Sequence, residues 1–391
     1  LDLYKKHAME LVDQRKAFYC FCSEEELAKK KEQAMINNLP PQYDGTCRDI
    51  LKEDALKRIE KGERAVVRFK VPKKHYEYKD HVRGSVTFPE DMVGDFVILR
   101  SNGMPVYNYC CMIDDWLMEI SHVIRAEDHI PNTLRQLMLF EAFGITPPEF
   151  AHVSLLVGKD RQKLSKRHGA TATGNFKELS YLPDALVNYL CLLGWSHPDE
   201  LYVFKASDIC DLFTLDRFTK ASALFDMEKL NYINGQHLRM LDNKMLVNQA
   251  STYIEDDHFF HNQTEQWKED CIELFKNKID KFSDLKPMVD TLYTLEDDQS
   301  LEYQDILSWE TTPVIKKYLK QEVDDLIEAG KTHASLENFE AWTTHIKKEL
   351  KIKGKPLFKG VRALLSFRAE GADLKMLATL TPLDIIEKRL R

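Results

Sequence analysis

A chain of 391 residues exceeds what one hydrophobic core normally fills, so two to four domains are expected. With 43% hydrophobic and 30% charged residues, no apolar stretch near the roughly 20 residues that cross a bilayer and no run resembling a signal peptide, the expected setting is cytoplasmic. A net charge of −8 excludes a protein that coats nucleic acid indiscriminately, and eight dispersed cysteines read as free thiols or metal ligands rather than a disulfide framework.

Residues 1–18 carry apolar side chains at helical spacing (Leu3, Ala8, Leu11, Val12), and a second helix is expected from Ser23, with Glu26 completing a capping box. The period then changes: residues 64–72 and 94–100 are rich in β-branched and aromatic side chains bounded by turn residues, and predict strands. An apolar segment from Tyr107 leads into a strand at 122–128 that ends in polar residues, then a helix over 134–143 terminated by Gly144. Residues 150–157 predict another strand, followed by a basic loop. Strand, helix, strand with polar strand ends is what an open parallel sheet offers a ligand. Beyond Gly174 nearly every segment reads helical: 183–193, 206–213, 244–253, 266–282, 312–328, 335–350 and 374–380. The predicted class is therefore α/β followed by all-α.

Positive charge is concentrated in two islands, Lys159 to Arg167 and Lys347 to Arg362; the second includes Lys353 and Lys355 and holds Glu349 as its one acid. Such islands on an acidic body suit a large polyanion touched at separated points, or else are solvated helix faces. Within the first, Lys163-Leu164-Ser165-Lys166-Arg167 sets two lysines three residues apart on a loop after a strand. Two ammonium groups so placed can follow charge that builds on a phosphorus centre and its departing pyrophosphate. Taken alone, the pentapeptide reads equally as an ordinary surface loop.

Its neighbours give it a context. Val123-Ile-Arg-Ala-Glu-Asp-His129, Phe150-Ala-His-Val-Ser-Leu-Leu156, Lys163-Leu-Ser-Lys-Arg-His-Gly169, Tyr181-Leu-Pro-Asp-Ala-Leu-Val-Asn-Tyr-Leu190 and Leu193-Gly-Trp-Ser196 resemble, in order and spacing, the second half of the catalytic domain of bacterial glutamyl-tRNA synthetases. The resemblance continues through Phe225-Asp-Met-Glu-Lys-Leu-Asn231, like the family's stem-contact region, and Lys353-Gly-Lys-Pro-Leu-Phe358, like its C-terminal helical domain. It implies half of a class I Rossmann-like catalytic domain carrying an α/β acceptor-binding insertion, then helical stem-contact and anticodon-binding domains. The implied division is 1–103 insertion, 104–174 catalytic half, 175–300 stem contact and 301–391 anticodon binding.

The activity it implies is ATP-dependent ligation of L-glutamate to tRNA(Glu) through a glutamyl-adenylate, by a monomer, with ATP accompanied by Mg²⁺. By position, Lys163 and Lys166 match the signature-loop lysines that stabilise ATP phosphates, Leu156 the backbone set against adenine, and Asp128 an acid near the ribose. Arg125 and Tyr107 match the glutamate pocket; an arginine fork suits two-point recognition of a carboxylate, which lysine cannot reproduce. An ion pair with Glu127 is the structural alternative for Arg125. The resemblance sends Lys353, Lys355 and Arg362 to the anticodon arm of tRNA, with Trp342 and Phe358 either beside them or in the core.

Some relatives hold zinc with a Cys-x-Cys and a distant Cys, which match Cys20, Cys22 and Cys47; the fourth ligand would be Tyr43 or Asp49. The same thiols also read as small buried side chains with no metal. The family's other signature, a His-x-Gly-His type tetrapeptide, has no match, so the chain as written is expected to lack part of the active site. A catalytically silent tRNA-binding remnant is the alternative reading.

Overall fold

The computed structural model describes residues 1–165, 167 and 172–391. The chain divides into two compact units, one comprising Leu1–Lys163, Leu193–Pro198 and Leu212–Phe225, the other Leu164–Leu192, Asp199–Asp211 and Asp226–Arg391.

In the first unit, α1 (Asp2–Asp13) buries His7, Ala8, Leu11 and Val12 on one face. It stops short of the residue-18 limit expected from its spacing, because Arg15 turns to φ 56° and Ala17–Cys20 becomes strand β1. The capping box at Ser23 forms as expected: Glu26 N–H donates to Ser23 Oγ at 3.2 Å and Ser23 N–H to Glu26 Oε2 at 2.9 Å, opening α2 (Glu24–Ile36). After α3 (Lys52–Glu60), β2 (Val66–Phe69) runs antiparallel between β1 and a strand at Phe96–Leu99.

A second sheet was only half anticipated. Strands β3 (Tyr76–Asp80) and β4 (Gly84–Phe88) form a hairpin that the sequence did not announce, since alternating Tyr, Glu, Lys and Asp mask its inward face. The strand at Phe96–Leu99 is β5, and α4 (Tyr107–Leu117) follows it. Next come β6 (His122–Ala126), α5 (Ile130–Phe143) and β7 (Glu149–Val153), the expected strand, helix, strand unit with parallel strands. Gly144 ends α5 in the left-handed conformation at φ 71°. The sheet order is β4-β3-β7-β6, so β6 is an outer strand. One core runs through this unit, with Leu11, Phe69, Ile98, Met112, Leu139 and Phe140 all buried in it, from both sides of the expected boundary at residue 103. The strand expected over 150–157 is broken: β7 ends at Val153, and β8 (Leu156–Val157) pairs in parallel with β9 (Ala223–Leu224).

Asp80 ties this sheet together. Its side chain is fully buried, and it accepts hydrogen bonds from the amides of Val82 at 2.9 Å, Arg83 at 2.8 Å and His152 at 3.1 Å, and from His152 Nδ1 at 2.6 Å. A buried carboxylate is tolerable only with such a set of donors.

The second unit is helical, and no strand is assigned to it among its described residues. It comprises α6 (Thr173–Glu178), α7 (Pro183–Cys191), α8 (Ala206–Ile209), α9 (Met227–Met240), α10 (Asn243–Ala250), α11 (Glu265–Phe275), α12 (Leu285–Asp290) and α13 (Leu301–Ser308). Then follow α14 (Thr311–Glu328), α15 (Leu336–Lys348), α16 (Lys355–Ser366), α17 (Leu374–Leu380) and α18 (Leu383–Arg389). The helix expected over 266–282 ends at Phe275, where the Asp284 carboxylate accepts from the amides of Asp280 and Lys281 and closes a turn. The helix expected over 206–213 is likewise shorter. Ile315, Leu319, Trp342, Ile346 and Leu364 fill the core between α14, α15 and α16.

The last helix is fastened by Arg389, only 2% exposed. Its guanidinium donates to the carbonyls of Thr294 at 2.7 Å, Thr291 at 2.9 Å and Leu292 at 3.1 Å, and to Leu365. These partners are carbonyls, not acids, and burial together with Arg368 pulls its pKa down to about 10. Arg389→Met should cost about 3–5 kcal/mol of stability, since several carbonyls lose their donor at once. Chemical denaturation checks this; an unchanged midpoint would remove the role.

Burial alone would raise the pKa of Asp80, but the hydrogen bonds from His152 and the neighbouring amides hold it at about 2. Against an unfolded value of about 3.9, this depression contributes roughly 2–3 kcal/mol above pH ~4, lost as pH falls towards 2. Asp80→Asn should be less stable at neutral pH and should lose less further stability on acidification. A pH series of unfolding curves that runs parallel for both proteins would contradict this.

Candidate active site

The polar residues expected at the strand ends do gather there. Arg125 is near the end of β6, opposite His152 on β7. Its Nε donates to His152 Nε2 at 3.2 Å, and its Nη2 donates to Thr133 Oγ1 at 2.7 Å and Gln136 Oε1 at 2.8 Å, both on α5. Nη1 takes no part in these three bonds. The Nε edge of the guanidinium is therefore engaged within the protein, with Nη1 on its other side. The ion pair with Glu127 that would have made Arg125 structural does not form, because Glu127 Oε2 pairs with Arg83 Nη2 at 2.8 Å.

Tyr107 opens α4 and is 50% exposed. Burial and the nearby Cys111 raise its pKa while the Arg125 charge lowers it, so phenol, thiol and guanidinium share one site. Asp115 belongs to the same group: burial raises its carboxyl pKa against the opposing influence of Cys111 and Arg125. The Cys111 thiol is pushed up to about 11, first by burial and then by Asp115, so it is protonated and unreactive at neutral pH.

Two residues assigned separately to ATP meet each other. Lys163 Nζ donates to Asp128 Oδ2 at 2.7 Å, which lowers the Asp128 pKa. The pair is solvated, with the Lys163 side chain 65% exposed. Lys166 lies outside the described residues. Leu156 sits in β8, where the amides of Ala223 in β9 and of Phe225 just after it donate to the carbonyls of Leu155 and Val157. Alternation along a strand turns the Leu156 amide and carbonyl to the other edge, on which Val157 bridges to Lys163.

The thiols assemble with tyrosine rather than aspartate. The Tyr43 oxygen is 3.4 Å from Cys20 Sγ and 3.8 Å from Cys22 Sγ, Cys22 Sγ is 3.7 Å from Cys47 Sγ, and the Cys47 amide donates to the phenol at 2.8 Å. Ligand bonds of about 2.3 Å in a tetrahedron give sulfur–sulfur edges of about 3.8 Å, so the donor set fits zinc. Asp49, the other candidate, has a side chain 93% exposed and pairs with Lys70 at 3.7 Å, away from the cluster. Arg68, its guanidinium 4.2 Å over the Tyr43 ring, adds positive charge. Burial opposes ionisation of Cys20, but the Tyr43 hydrogen bond and Arg68 outweigh it and lower its pKa. The Tyr43 phenol is held well above its usual range by burial and by its bonds to Cys20 and Cys47.

In the helical unit, Lys353 and Lys355 are exposed at the start of α16. Arg362 is half-buried, donating to the Ala372 carbonyl at 2.8 Å, and lines a cavity of about 750 Å³ with Phe358, Lys278, Lys359 and Lys375. Phe358 is 54% exposed, whereas Trp342 is 1% exposed and belongs to the core. An exposed aromatic among cations is a platform on which a base can stack.

Sequence reasoning missed Asp80, His152, Thr133 and Gln136. One signal was available: His152 interrupts an otherwise apolar strand run, where a polar side chain needs a partner.

Comparison with known proteins agrees with this geometry. Residues 1–232 match the family model described as the catalytic domain of class I tRNA synthetases (E and Q), and residues 245–391 match an anticodon-binding domain. A glutamate–tRNA ligase of Natranaerobius thermophilus is 37% identical over 97% of this chain and 78% of its own length. One from Desulforamulus reducens is 39% identical over 96% and 78%. A solved glutamate tRNA ligase from Elizabethkingia meningosepticum, in complex with its amino acid, superposes with a TM-score of 0.86 at 23% identity, covering 100% of this chain and 81% of that one. A parallel strand pair presenting Arg125, the Lys163 loop and a helical anticodon-binding region thus coincide with sequence identity well above what fold alone produces, and the chain belongs to the class I glutamate–tRNA ligases.

Proposed function

We propose that this protein activates L-glutamate with ATP and transfers it to tRNA(Glu), releasing AMP and diphosphate. The observation that carries the reading is the convergence, around the end of β6, of Arg125 with Tyr107 and of Asp128 with Lys163. The glutamate carboxylate would attack the α-phosphorus of ATP, escorted by Mg²⁺, and a terminal ribose hydroxyl of tRNA would then attack the acyl-adenylate. Arg125 and Tyr107 would hold the amino acid, the Leu156 backbone would face adenine, and Lys163 with Lys166 would follow charge onto the departing diphosphate. Residues 1–103 would take the acceptor end, 175–300 the inner stem and 301–391 the anticodon arm, with Phe358, Lys353, Lys355 and Arg362 as contacts.

The decisive experiment is aminoacylation of purified glutamate and glutamine tRNAs by the full-length protein; charging of neither would defeat the proposal. In the same assay Lys163→Ala should lower the rate of adenylate formation by about 100-fold with tRNA affinity unchanged. A normal rate would show that Lys163 has no part in phosphate handling.

Cys20, Cys22, Cys47 and Tyr43 would hold Zn²⁺ as a structural ion, clamping the loop that carries Tyr43 to β1. Metal analysis of the purified protein should find zinc at a level equal to the protein, and Cys22→Ser should reduce it and lower the melting temperature. Zinc-free protein with the same melting temperature before and after zinc addition would point to plain buried thiols.

A further inference from the structure

His152 is the one histidine in the first unit whose side chain is completely buried, and its two ring nitrogens have different tasks. Nδ1 is 2.6 Å from Asp80 Oδ2, a carboxylate with no proton to offer, so Nδ1 carries the hydrogen and donates. Nε2 is 3.2 Å from Arg125 Nε, which can only donate, and 3.1 Å from Thr133 Oγ1. A proton on Nε2 would set two donors of positive groups against each other in a buried place. The ring is therefore the neutral, Nδ1-protonated tautomer, and its Nε2 is an acceptor aimed at the guanidinium. Thr133 completes the arrangement, receiving Arg125 Nη2–H at 2.7 Å, while Gln136 accepts from the same nitrogen at 2.8 Å.

These contacts use the Nε and Nη2 donors and leave Nη1. The Arg125 charge is felt by Tyr107, Cys111 and Asp115, and by Tyr78 beside His152. A long flexible side chain that loses its rotamer freedom before the ligand arrives costs the ligand less to bind. Asp80 is in turn fixed by the amides of Val82 and Arg83, so the relay runs from the β3–β4 turn through the ring to the guanidinium.

We infer that His152, oriented by Asp80, is a positioning residue that locks Arg125 along its Nε edge and presents Nη1 alone to the carboxylate of the amino-acid substrate. This rests on the reading of Arg125 as the carboxylate ligand.

The test is glutamate-dependent ATP–pyrophosphate exchange by the full-length protein in the presence of tRNA. His152→Gln should raise the KM for glutamate about tenfold while kcat and the KM values for ATP and tRNA change by less than about threefold. In an Arg125→Lys background the same substitution should add less than about twofold, because its effect is transmitted through the guanidinium. A glutamate KM unaffected by His152→Gln, or a full additional effect in the Arg125→Lys background, would overturn the inference. Nitrogen-15 NMR of the unsubstituted protein decides the relay independently of activity and of whether the variant folds. It should show His152 protonated at Nδ1 and bare at Nε2, and a ring protonated at Nε2 would refute it. Absence of glutamate-dependent exchange in the unsubstituted protein would instead defeat the proposed function, with the NMR result still judging the histidine.

Discussion

The ionised carboxylate of Asp80, sealed from solvent, is the constraint on which the first unit depends. A charge in that position is tolerated only because several donors converge on it, and each donor belongs to a part that must be fixed. The amides of Val82 and Arg83 set the hairpin turn, the His152 amide joins the hairpin to β7, and the imidazole carries the order onward to Arg125. The electrostatic cost of burying one acid is thereby converted into the alignment of a hairpin, a parallel strand pair and the Arg125 side chain.

That chain of dependence explains what the sequence disclosed and what it hid. The β6–α5–β7 unit was legible because apolar runs, the polar ends of its strands and the Gly144 stop are local signals. The β3–β4 hairpin was not, because its stabilising partner is 72 residues away, at His152. The overlong first helix failed for a similar reason: residues 17 and 18, included in the expected helical stretch, are taken by the ladder that β2 supplies.

Among the site residues, type and motif spacing led to Arg125, Tyr107 and Lys163, but not to how many of their donors were already engaged. Thr133, Gln136 and His152 engage the Nε and Nη2 donors of Arg125, and although His152 lies in one of the matched motifs, its residue type did not disclose that contact. Conversely, three-dimensional placement separates two residues that spacing left alike: Tyr43 faces the thiols and Asp49 faces water. Phe358 and Trp342, indistinguishable as aromatics in a helical sequence, separate into a surface platform and a core filler.

The Lys163–Asp128 contact has a consequence for how the signature loop responds to its surroundings. A solvated pair of this kind contributes little, so it acts as a weak latch rather than a lock. In the proposed reaction an arriving polyphosphate would bring more negative charge than one carboxylate, and would draw the lysine away from Asp128. Because both contacts are electrostatic, rising ionic strength weakens both, and the polyphosphate contact, carrying the larger charge, weakens more.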